Sequence, residues 1–212
     1  MEYNLESINS VIELINRRGS KERTLIFYDD KQIKVVLDDS ITDRPQDQAT
    51  YVFMASDDLQ EWQGIMNTPL SQKLFIDFLR RRPGKEIVEM ETLLASVQCL
   101  KLATEIVGDY QYDDNNNIVF MFKTKDAEGS AKLPSVLNVY LQLLNESELM
   151  QCVEIELEIR KPKSENEKPV FVLTCPNLKR YLKVAKKYEI NKLEHALEGY
   201  IILAGSCEHQ GG

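Results

Sequence analysis

Residues 151–174 read QCVEIELEIR (151–160), KPKSENEK (161–168) and PVFVLT (169–174). Val153, Ile155, Leu157 and Ile159 alternate with Glu154, Glu156, Glu158 and Arg160. Successive side chains of a strand point to opposite faces, so this period predicts a half-buried strand with the four apolar residues inward. The polar turn then returns into 169–174, which completes an antiparallel hairpin. Glutamates on its outer face imply one open antiparallel sheet with a solvated side.

Upstream of the hairpin, Leu133–Leu144 reads as a strand because Pro134 precedes a run rich in Val, Leu and Tyr. Ile118–Phe122 reads as another, entered from the turn 113–117. Before these the period is helical. A helix over 86–107 carries Met90, Leu93, Leu94, Val97 and Leu100 on one face, with Gly108 as its terminator. Pro69 is suited to the first position of a helix whose apolar residues are Leu70, Leu74, Phe75, Ile76, Phe78 and Leu79. That helix ends in Arg80, Arg81 and Arg82, cations that favour a helix C-terminus. Ser56 or Asp57 caps a shorter helix holding Leu59 and Trp62.

The N-terminal third predicts a helix over 4–18, capped by Asn4 and stopped by Gly19, with Leu5, Ile8, Ile12 and Ile15 inward. Two β-rich runs, Thr24–Tyr28 and Gln32–Leu37, flank a hairpin turn at Asp29-Asp30-Lys31. Residues 38–49, with Pro45, read as a mobile polar loop, and Thr50–Ala55 as a buried strand. At the other end Pro176 opens one helix, or two meeting near Tyr188–Asn191, that runs to about Ala204. Hairpins around a helical block with a final helix make an α+β fold, an antiparallel sheet with the C-terminal helix packed on it. The expected organisation is a single domain over 1–212. Within it, 1–56 forms a semi-independent N-terminal subregion and 206–212 a disordered tail.

Composition narrows the functional classes. The hydrophobic fraction of 43% and charged fraction of 28% are those of a globular chain. No apolar run reaches the roughly 18–20 residues that span a bilayer, so no membrane association is expected. The first residues lack the basic and apolar regions of a secretion signal, which places the protein in the cytoplasm. Cys99, Cys152, Cys175 and Cys207 form no C-x-x-C pair, and only His195 and His209 accompany them. Neither a disulfide, a metal nor a cofactor is expected from that spacing. Gly-rich phosphate loops and the G-x-S-x-G elbow are absent from the sequence, so no catalytic residue is assigned.

Three features remain as candidates. Glu154, Glu156 and Glu158 form an acidic row, read as a solvated sheet face or as a recognition face for a basic partner. Same-face neighbours on a strand lie roughly 6.8 Å apart, too far for one metal ion without converging side chains and a third ligand. Lys179, Lys183, Lys186 and Lys187 form a basic helix, read as a surface face or as a contact for nucleic acid or an acidic partner. Residues 177–193 carry a local charge of +5, which leaves −13 elsewhere in a chain of net charge −8. Trp62 reads as a core residue or an interface anchor.

Glu61-Trp62-Gln63, followed by Pro69-Leu70-Ser71-Gln72-Lys73-Leu74-Phe75-Ile76-Asp77-Phe78-Leu79, resembles the YfdQ-like phage and prophage family. Members of that family pair a Trp-containing segment with a helix of the type S-Q-x-x-F-x-x-F, then paired strands and a long final helix. The resemblance covers roughly 57–204, and the N-terminal third departs from it. It implies a bacteriophage setting in the bacterial cytoplasm and carries no activity. The expectation is a non-enzymatic accessory protein that binds a host or phage protein, in a host-takeover or anti-defence role. Two alternatives stand beside it, a nucleic-acid-handling accessory protein using the basic helix and an enzyme with an unrecognised carboxylate site. Self-association is left open.

Overall fold

The structure is a computed structural model that describes residues 1–40, 46–102, 105–123, 128–160 and 170–206. Helices and strands share the chain about equally, in an α+β arrangement. The backbone divides into two compact units. One comprises 1–60, 142–150 and 179–212, the other 61–141 and 151–178.

The first unit is built on a five-stranded sheet. Its strands are β1 (Glu2–Leu5), β2 (Leu25–Tyr28), β3 (Gln32–Val36), β4 (Gln48–Val52) and β12 (Ile201–Ala204), in the order β1-β4-β3-β2-β12. The expected β2–β3 hairpin forms, with Leu25 opposite Val36 and Tyr28 opposite Ile33. Both edge strands instead run parallel to their neighbours, β1 to β4 and β12 to β2. Helices α1 (Ile8–Arg18) and α5 (Leu178–Ala196) contribute Ile8, Val11, Ile15 and Leu193 to the core. There they meet Ile26, Ile33, Val35, Ala49 and Tyr51 of the sheet.

The sequence reading needs three corrections in this unit. The strand read over Thr50–Ala55 is β4, Gln48–Val52, and it is half-buried, with Ala49 and Tyr51 inward and Val52 47% exposed. The helix expected over 4–18 begins only at Ile8, because Glu2–Leu5 is claimed by β4. Its cap is Ser7, whose Oγ accepts from the Ser10 N–H at 3.1 Å, and not Asn4. The last helix ends at Ala196 rather than near Ala204. Gly199 takes φ +87°, a left-handed turn natural to glycine, and the chain re-emerges as β12.

The second unit holds two sheets and most of the central helices. β5 (Leu70–Ser71), β9 (Val136–Gln142), β10 (Met150–Arg160) and β11 (Val170–Thr174) form a sheet in the order β5-β11-β10-β9. β6 (Glu105–Tyr112), β7 (Asn117–Lys123) and β8 (Glu128–Pro134) form another. α2 (Asp57–Ile65) leads in from the first unit, with the Ser56 hydroxyl accepting from the Leu59 N–H at 3.1 Å. α3 (Gln72–Arg81) lays Phe75 on the sheet, stacked on Phe171 with ring centroids 5.0 Å apart. α4 (Met90–Leu102) buries Leu93 and Val97.

Four readings change here. Ser71, and not Pro69, opens α3, its Oγ accepting from Leu74 N at 3.3 Å after a two-residue strand paired with β11. The helix over 86–107 is shorter, since β6 takes over at Glu105 and pairs Ile106 with Phe122. β-branched Ile106 and Val107 favour that strand, and Gly108 lies inside it. The strand over 133–144 breaks at Ser135 between β8 and β9. Among the described residues the single antiparallel sheet becomes three, and the five-stranded one is mixed. The readings at 41–45, at the 161–168 turn and in the tail from Cys207 lie outside the described residues.

Candidate functional site

β10 behaves as its alternation predicts. Val153, Ile155, Leu157 and Ile159 are buried, while Glu154, Glu156 and Glu158 are exposed. Pairing with β11 fixes what surrounds the carboxylates. Glu156 faces Thr174, whose hydroxyl lies 3.4 Å from its Oε2, and Glu158 faces the buried Val172. Arg160, two residues along the same face, donates to Glu158 through Nε at 3.1 Å and Nη2 at 3.0 Å. The Glu158 carboxylate holds that guanidinium above its ordinary pKa. The row therefore exposes three carboxylates, with Arg160 held on Glu158.

On the neighbouring strand β9, Leu137, Val139 and Leu141 are buried, so Asn138 and Tyr140 stand on the outward side. Tyr140 is 46% exposed. Cys175, just past β11, has its thiol pushed up first by burial and further by the charges of Glu156 and Glu154. A thiol kept protonated in this way is a poor nucleophile. Exposed Cys152 and half-buried Cys175 are both free. Among the described residues no group of three His, Cys, Asp or Glu side chains is placed to hold a metal ion.

The basic helix is divided by its packing. Lys179, Lys183 and Lys187 recur every four residues on the exposed side of α5. Lys186 is instead half-buried, donating to the Asp30 carbonyl and standing 5.8 Å from the Phe53 ring centroid. Lys192 pairs with Glu148 at 2.9 Å. Glu189, counted in sequence as an offset to the lysines, is 1% exposed and accepts a hydrogen bond from Ser147 Oγ at 2.5 Å. Burial and then the carboxylates of Glu189 and Glu146 push the Tyr51 phenol up to about 12. The pattern was present in the spacing, since Glu189 lies four residues from both Ala185 and Leu193 on the buried stripe.

Trp62 is fully buried, in line with its core reading. Its ring meets Phe78 edge-on at 4.9 Å, and its Nε1 donates to Glu86. Arg82, also buried, pairs with Glu61 and lies 5.0 Å from the Phe78 ring centroid. The last of the three arginines at the end of α3 is thus part of a buried polar cluster, a role that a run of cations beside Pro83 does not announce. Among the described residues no helix is long and apolar enough to cross a membrane. Compared with known proteins, the chain matches no family model, no curated protein and no solved structure.

Proposed function

We propose that this chain is a non-catalytic accessory protein of the phage or prophage type, acting in the bacterial cytoplasm by binding a host or phage protein. The observation that supports it is the outward row Glu154, Glu156 and Glu158, exposed on a strand whose other face is locked into a core. Carboxylates held at strand spacing offer a basic partner a surface whose backbone is already ordered, so less backbone ordering is left to occur on binding. Tyr140 on the adjacent strand adds an aromatic contact of the kind enriched at interfaces. The phage setting rests on the resemblance of 61–63 and 69–79 to the YfdQ-like family. Engagement of Lys186 and Lys192 by groups of their own unit weakens the nucleic-acid alternative.

The test is affinity capture from phage-infected bacteria with the parent and with a variant carrying Glu154→Lys, Glu156→Lys and Glu158→Lys. Any captured protein is then purified and its direct affinity measured for both forms. The expected result is a protein partner whose affinity falls at least tenfold in the variant and weakens with salt. Equal binding by both forms removes the acidic face from the reading. Recovery of nucleic acid alone overturns the protein-partner reading.

A further inference from the structure

We draw no further inference here: the strongest candidate, the apolar surface patch where Ile201 and Leu203 of the edge strand β12, 43% and 44% exposed, lie beside Leu25 and Phe27 of β2, has nothing in the structure to show what covers it.

Discussion

Glu189 shows how one misplaced charge changes the reading of a helix. A carboxylate with 1% exposure stays in a core only if its hydrogen-bonding capacity is met, and Ser147 supplies part of that. Hydrogen bonds to charged groups contribute about 1.5–3 kcal/mol, so Ser147→Ala should lower the unfolding free energy by that order in a denaturant titration. A loss within about 0.5 kcal/mol, the usual range for surface changes, would show that the pair contributes little. The same carboxylate acts on Tyr51. The phenol's folded value, about 12, lies above its ordinary 10.0. Its contribution to stability is therefore complete below pH 10 and is lost as the pH rises toward 12. Glu189→Gln removes the second cause and leaves the first, burial. In an ultraviolet titration of tyrosinate, Tyr51 should then ionise at lower pH than in the parent and still above its ordinary value of 10.0. An unchanged Tyr51 titration would mean that Glu189 does not contribute, leaving burial and Glu146 as the causes.

Elements were legible where two faces differ in polarity. β10 was read correctly because each residue declares its side, and a register slip by one would bury three glutamates. Ile155→Asp puts an unpaired charge at a fully buried position, so it should cost about 3–5 kcal/mol or abolish folding. Glu156→Gln, on the exposed face, should stay within about 0.5 kcal/mol of the parent. If both variants melt with the parent, the register of β10 is not the one described. Legibility failed where local pattern was ambiguous and a distant segment decided. Glu2–Leu5 has helical neighbours, yet β4 pairs with it across more than forty residues. The helical reading through Val107 extended a real stripe past the point where β7 recruits the chain. β12 follows α5 closely, and only the φ of +87° at Gly199 marks the change. The acidic row was readable because it lies on an element whose pattern is unambiguous. The buried roles of Glu86, Arg82 and Glu189 were hidden because polar residues are counted as surface until a partner is seen.

At the scale of the molecule, charge separates the two macromolecular readings of function. The first unit carries 18 acidic against 13 basic residues, and the second 16 against 13, so each is negative by itself. Neither offers duplex DNA a basic body, and the exposed stripe Lys179, Lys183 and Lys187 on α5 is the contact the basic-helix reading invokes. Screening at physiological salt limits such a stripe to a range of roughly 8 Å. If the three lysines each displaced a counterion, the salt slope would be about −2.7, and affinity would fall about 40-fold between 50 and 200 mM salt. We therefore expect weak duplex binding at the lower concentration and almost none at the higher. The measurement compares the parent with a variant carrying Lys179→Glu, Lys183→Glu and Lys187→Glu at both concentrations. These residues are exposed, so the variant should fold, and its melting temperature checks that it does. Tight binding by the parent at 200 mM that the variant loses would promote α5 to a nucleic-acid contact and displace the protein-partner reading. Negligible binding by both at 200 mM would leave the lysines as a solvated face. The acidic strand would then be the surface to pursue, since its three carboxylates are exposed on one face of β10.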